Sequence, residues 1–390
     1  MGKIRSVLIY EIKHNNVLKK VYTFIGSTAL RFLGIFIRTD ENLVLFVGNI
    51  GKSFSGSPYE IYHYMQGNDK YRKYKCIWAF NNPEDFKKYR LNTVKFDTLA
   101  YFASALKAKY WITDVNAERS LKFKKKETKY LNTWHGVALK KIGNDDKSSG
   151  RYDYSNIDYL CVSGEHDKRV YTSALNAKPS CFLECGMPRN DRLFFTTESE
   201  RTELRKKLNI PEGKKVILYA PTWRDSVNAG VSYDLNIPVD FKKWEKLLAY
   251  DYVLFIRAHD RTTKLMKIDF NSFVKDYSRY EPLDDLLIVT DVLITDYSSI
   301  VFDYSILEKP FICFGYDFEQ YCRERGTYFD PEKVYPNGVL KTEEEVLDAL
   351  AHINWKKECE NTRILKKKFM EYSHGKATET CVKSLFGEGK

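Results

Sequence analysis

Val292-Leu293-Ile294-Thr295-Asp296-Tyr297-Ser298-Ser299, followed by an apolar run over 300–307, is the stretch on which the fold turns. Its first four residues are apolar or β-branched throughout and read as a buried strand. A hydroxyl-rich turn follows, then a helix. A strand that is apolar on both faces, feeding directly into a helix, is the building unit of a parallel sheet covered on both sides. A helix that opens on Ser298-Ser299 presents backbone N–H groups, hydroxyls and a positive dipole end, a combination that suits a phosphate.

The same alternation extends in both directions. Strands are expected at 43–47, 76–80, 110–113, 130–133 and 159–162, then at 216–220, 253–256, 292–295 and 311–314. Helical patterns lie between them, for example at 58–65, 98–108 and 241–249, with two more in the tail at 343–353 and 355–372. A charged stretch over 196–212 lacks a strand and ends in the turn signal Asn209-Ile210-Pro211-Glu212-Gly213. At 390 residues two domains are the default. The reading is an α/β chain of two doubly wound, Rossmann-type domains. Its segments are 1–38, a membrane-association helix; 39–192, the first Rossmann-like domain; 193–342, the second Rossmann-like domain; and 343–390, helices packing back across the domains. Ligand is expected in a central cleft at strand carboxyl ends.

The formal net charge of +11 favours an anionic partner, and 28 Tyr with 24 Phe fit either an aromatic core or an interfacial belt. Eight scattered cysteines without zinc spacing read as buried and reduced. Residues 17–37 are apolar and aromatic but interrupted by Lys19, Lys20 and Arg31, so a helix lying on an anionic membrane surface fits better than a spanning one. Lys13, Lys19, Lys20, Arg31 and Arg38 would face the head groups. The basic run over 122–126 reads most simply as a solvated loop.

Chemistry is expected at strand-to-loop junctions. His135 ends Tyr130-Leu131-Asn132-Thr133-Trp134-His135-Gly136, where Gly136 lets backbone approach a ligand. Arg257 and His259 end the run from Val253 and share a face if the strand continues. Pro221 and Thr222 follow a third strand, with Arg224 and Asp225 as a local pair; Arg189 lies in Gly186-Met187-Pro188-Arg189-Asn190-Asp191. Asp284 reads as a helix cap. Nucleotide-binding glycine fingerprints, a nucleophile elbow and nucleic-acid-reading motifs are all absent from the sequence. No cofactor and no metal site are expected, with a divalent ion at Asp296 and Asp303 the open alternative.

Taken together, Thr133-Trp134-His135-Gly136 with Leu139-Lys140-Lys141-Ile142-Gly143, Pro188-Arg189-Asn190-Asp191, Tyr219-Ala220-Pro221-Thr222-Trp223-Arg224-Asp225, Arg257-Ala258-His259 and Thr295-Asp296-Tyr297-Ser298-Ser299 with Asp303 resemble the CDP-glycerol glycerophosphotransferase family. These are the teichoic acid primases and polymerases of Gram-positive bacteria. The resemblance implies a GT-B-like pair of Rossmann-type domains and a peripheral enzyme at the cytoplasmic face of the plasma membrane. It implies transfer of polyol phosphate, glycerol 3-phosphate first, from CDP-glycerol or another CDP-polyol to an undecaprenyl-diphosphate-linked saccharide, with release of CMP and no role for nucleic acid. It implies His135 and His259 as catalytic, and Trp134, Gly136, Arg189, Pro221, Thr222, Arg257, Ser298, Ser299 and Asp303 as substrate-binding. The sequence departs from the family at Val137-Ala138 and at Met187, which bears on the donor polyol. A sugar-nucleotide glycosyltransferase, a CDP-ribitol-using transferase and a non-catalytic basic binding module are the alternatives.

Overall fold

The computed structural model of the chain describes residues 16–146, 152–222, 237–258 and 268–387. It divides into two compact units. The first comprises Met1–His135, Ile142–Asp191 and Tyr372–Lys390; the second comprises Gly136–Lys141 and Arg192–Glu371.

In the first unit Asp40–Val47 (β1), Lys75–Phe80 (β2), Thr93–Lys95 (β3), Ala108–Thr113 (β4), Lys129–Asn132 (β5), Tyr159–Val162 (β6) and Phe182–Glu184 (β7) form one sheet. Its order is β3-β2-β1-β4-β5-β6-β7, and every pairing is parallel. The second unit holds Lys215–Ala220 (β8), Tyr252–Ile256 (β9), Val274–Asp276 (β10), Val292–Thr295 (β11) and Phe311–Cys313 (β12) in the parallel order β10-β9-β8-β11-β12. In both sheets the first strand lies beside the fourth, so the strand order reverses there. That crevice is where doubly wound sheets place their ligands.

The buried faces explain why these strands are apolar on both sides. Along β8, Val216, Leu218 and Ala220 enter one core cluster, while Ile217 and Tyr219 enter the other. The first unit's aromatic core centres on Trp78, stacked on Phe46 at 5.0 Å and on Phe80 at 5.8 Å. The helix Ala377–Phe386 returns to this core through Ala377, Cys381, Val382 and Leu385. Much of the aromatic content is thus core.

The N-terminal helix runs Asn16–Phe36. It packs on the first unit through small residues: Ser27 and Gly34 are buried, and Gly26 and Gly34 face Leu121 and Leu106 closely. Among the described residues no helix is long and apolar enough to cross a membrane. Lys13 and the Lys19 side chain lie outside what is described.

Two sequence readings are corrected. The basic run is not simply solvated: Phe123 is buried, Lys122 pairs with Asp153, Lys124 reaches Asp158 at 3.0 Å, and Lys125 donates to the Ile37 carbonyl. Phe123 docks in the core and draws its neighbours down to acceptors. Asp284 is not a cap. Pro282 occupies that position before Leu283–Val289, and Asp284 in the first turn meets Arg192 at 2.8 Å, because the strong cation is within reach.

Candidate active site

At the first sheet's crevice the deciding residue is Asp114, directly after β4. Both its carboxylate oxygens accept the backbone N–H of Asn49, after β1, at 2.9 and 3.1 Å. The second unit repeats the device. Asp296, directly after β11, accepts the backbone N–H of Thr222, after β8, at 2.9 and 3.1 Å. Each unit therefore holds its reversal point open in one shape with a buried carboxylate that clamps the loop after the first strand. Preorganised backbone at this position is what binding of a charged ligand requires.

Beside Asp114 the loop after β5 is bent by Trp134, which sits at φ 53. A non-glycine residue there costs about 1–3 kcal/mol and persists only where its surroundings impose it. Here Asn132 imposes it: its Oδ1 accepts the Trp134 N–H at 2.8 Å, while its amide donates to the Val115 carbonyl at 2.9 Å. The bend stacks the indole on His135 at 4.2 Å and exposes the imidazole. His135 Nδ1 lies 2.9 Å from the Asp114 carbonyl oxygen. In the neutral ring this assigns the proton to Nδ1, which donates to that carbonyl, and makes Nε2 the basic nitrogen. Gly136 follows at φ 147 and opens the segment that enters the second unit.

Burial pushes the Asp114 carboxyl up to about 7; the Asn49 N–H and the nearby Arg189 charge oppose that rise. Arg189, whose N–H donates to Ser57 Oγ at 3.3 Å, thus belongs to the same region as His135 and Trp134. Asp191, in the same loop, instead holds the start of the C-terminal helix, accepting the Ala377 and Thr378 N–H groups at 2.9 and 2.7 Å.

In the second unit Pro221 is buried, and Asp296 ties Thr222 to the segment carrying Ser298 and Ser299. Ser298 Oγ accepts the Ile300 N–H at 3.3 Å; the helix beyond it is the short Ile300–Ser305, in which Asp303 is buried. Asp296, expected as a possible metal ligand, is committed to backbone N–H groups, including that of Tyr297 at 2.6 Å. Arg257 stands apart. Its guanidinium donates to the Tyr277 and Tyr280 carbonyls and to Glu281 at 2.9 Å, so it braces the loop after β10. His259, Trp223, Arg224 and Asp225 lie outside the described residues.

Sequence reasoning missed Asp114 as a functional residue. It also missed a group of three buried thiols, Cys161, Cys185 and Cys381. Their sulphurs approach to 3.3 Å (Cys161 to Cys381) and 3.9 Å (Cys185 to Cys161) beneath the C-terminal helix. Only the fold brings them together.

With this geometry in place, comparison with known proteins is decisive. Residues 30–387 match the family described as CDP-Glycerol:Poly(glycerophosphate) glycerophosphotransferase. The chain belongs to that family. It is 32% identical to the teichoic acid poly(glycerol phosphate) polymerase of Bacillus spizizenii, covering 96% of this chain and 98% of the relative. It is 31% identical to the teichoic acid glycerol-phosphate transferase of Staphylococcus aureus, over 95% and 99%. The solved wall teichoic acid polymerase TagF superposes with a TM-score of 0.80 at 28% identity, covering 95% of this chain and 96% of that one. The family and its GT-B-like, two-sheet fold make this glycerophosphotransferase-family chain an enzyme of teichoic acid type.

Proposed function

We propose that this enzyme takes glycerol 3-phosphate from CDP-glycerol and transfers it to a hydroxyl of an undecaprenyl-diphosphate-linked saccharide, at the cytoplasmic face of the membrane. The observation that carries the reading is His135: exposed, stacked on a strained Trp134, with its Nδ1 committed to the Asp114 carbonyl. An acceptor hydroxyl attacks the phosphorus that bears the glycerol. The new P–O bond forms as the P–O bond to CMP breaks, and Nε2 of His135 takes the hydroxyl proton. The product is a phosphodiester, and CMP leaves with the electron pair.

Arg189, Thr222, Ser298 and Ser299, with His259, would stabilise charge on the diphosphate and the leaving group, and positioning would supply much of the rate. Support for a cytidine diphosphate donor comes from TagF, of which a histidine variant soaked with CDPG has been solved (TM-score 0.79, 28% identity). Asp303, buried in the short helix after Ser299, and Arg257, bracing the loop after β10, would steady the second unit's share of these groups. No cofactor is invoked; turnover unchanged by EDTA would fit, and loss restored by a divalent ion would add a metal to the scheme.

Glycerol is favoured over ribitol by the relatives above; the S. aureus ribitol-phosphate polymerase TarL is 28% identical over 97% of this chain. The test is incubation with CDP-glycerol, CDP-ribitol and UDP-sugars with a lipid-linked saccharide, followed by released nucleotide. CMP from CDP-glycerol is the expected result. Release from a UDP-sugar alone would overturn it.

The acceptor's lipid stays in the bilayer, so the enzyme must work at the membrane. The outward side of the helix Asn16–Phe36 carries Val21, Phe24, Ile25, Phe32, Ile35 and Phe36, each 48% or more exposed. We assign this face to the membrane interface.

A further inference from the structure

We propose that a cleft at the carboxyl end of the N-terminal helix is a binding site for the phosphate of an anionic glycerophospholipid. This deepens the membrane reading above and rests on it. The cleft has a volume of about 710 Å³ and lies wholly in the first unit, between the end of the helix and the loop around Phe123. Its lining contains Arg31, Arg38, Lys124, Lys125 and Lys126 against only two carboxylates, Glu41 and Glu127.

Both carboxylates have other partners. Glu41 pairs with Lys109 at 3.0 Å, and Glu127 accepts the Thr39 hydroxyl at 2.9 Å. Two of the cations are structural. Lys124 is paired with Asp158, and Lys125, its ammonium acidified by burial, reaches the Ile37 carbonyl and Thr39 Oγ1. Arg31 gives its Nε–H to the Lys122 carbonyl at 2.7 Å. Arg38 and Lys126 are exposed and have no ion-pair partner among the described residues. The rim beside them is apolar: Ile35 is 76% exposed and Phe36 70%, with Phe32 edge-on to Phe36 at 5.2 Å.

One wall that is apolar and largely exposed, next to a basic recess, matches one kind of partner in both chemistry and order. Acyl chains take the aromatic rim, and the phosphate one layer higher takes Arg38 and Lys126. A free nucleotide or a protein acid would leave the rim in water. A basic residue near an anionic bilayer is worth about 1 kcal/mol, or roughly fivefold in partitioning. Loss of two should therefore weaken binding at least tenfold.

The experiment is vesicle co-sedimentation of the full chain with phosphatidylglycerol/phosphatidylcholine vesicles and with phosphatidylcholine alone. It compares wild type, the double variant Arg38→Gln with Lys126→Gln, and a charge-matched control, Lys73→Gln with Lys88→Gln, on exposed lysines elsewhere in the unit. The expected result is binding that depends on phosphatidylglycerol, falls at least tenfold in the cleft variant, and falls less than threefold in the control. Equal loss in both variants would reduce the cleft to general surface charge and overturn the proposal. Undiminished binding of the cleft variant would also overturn it while leaving the membrane reading intact. A wild type that fails to sediment with either vesicle would sink the membrane reading itself. Calorimetric binding of inorganic phosphate that is lost in the cleft variant, while that variant still sediments with the vesicles like wild type, would assign the cleft to free phosphate and exclude the lipid.

Discussion

Asp114 makes two demands on one residue: its carbonyl orients His135, and its carboxylate holds Asn49. The two functions separate on substitution. His135→Ala leaves every clamp in place, and because the ring is exposed the fold should be unaffected; CMP release should fall by about 10² or more if Nε2 is the base. Turnover near wild type would remove His135 from that role. Asp114→Asn keeps the backbone carbonyl and one side-chain acceptor but removes a titrating group. The folded carboxyl, lifted to about 7 by burial, holds a proton that the unfolded chain, at its ordinary value near 3.8, has released. Between those two values the folded state binds more protons, so wild-type stability should fall as pH rises from about 4 to about 7, by at most about 4 kcal/mol. Urea midpoints at pH 4.5 and 7.5 measure this. The fall should be smaller in Asp114→Asn, with the remainder left to the other carboxyls that burial raises, Glu118, Asp191 and Asp284, and an identical slope would place the titrating group elsewhere.

Among the elements, those with long apolar runs were legible and the short ones were not. The expected strand at 76–80 appears as Lys75–Phe80, and that at 216–220 as Lys215–Ala220, because a continuous apolar run ending in three and five consecutive buried residues leaves little choice. Thr93–Lys95 and Val274–Asp276 escaped notice, since a three-residue edge strand with one buried side chain has no period to read. The helix Ala377–Phe386 did carry a signal, apolar residues at 377, 381, 382 and 385, which went unread in a polar tail. Asp114 had none: its partner is a backbone N–H 65 residues away, which no residue type encodes. Gly143 shows the reverse, a motif glycine whose reason only packing supplies. It sits at φ 53, and an added Cβ would lie 2.1 Å from the Ala174 carbonyl oxygen at the end of the helix Glu165–Ala174. Gly143→Ala should therefore cost more than about 2 kcal/mol, by backbone strain and overpacking together. A urea midpoint within error of wild type would mean that the loop relaxes freely.

At the scale of the molecule, the chain does not finish one unit before starting the next. It enters the second unit for Gly136–Lys141, goes back, leaves again at Arg192 and returns for good at Tyr372. Each excursion is fixed within the unit it joins. Val137 and Leu139 are buried in the second unit's core, and the Leu139 carbonyl accepts the Tyr328 N–H at 2.8 Å. The helix Ala377–Phe386 packs into the first unit's core, its first N–H groups held by Asp191. This weaving links the C-terminal tail to the sheet that carries His135, although some 240 residues separate them in sequence. The link is testable without truncation. Leu385 is 3% exposed, and Leu385→Ala should cost about 2–4 kcal/mol through the cavity it leaves. If the tail belongs energetically to the first unit, hydrogen exchange in the variant should quicken in peptides spanning β4, β5 and β6. Those spanning β8, β9 and β11 should exchange as in wild type, because local opening follows the cooperative unit that lost its contact. Faster exchange only within 377–386 would make the tail an appendage. Equal acceleration across both sheets would mean that the two units open as one.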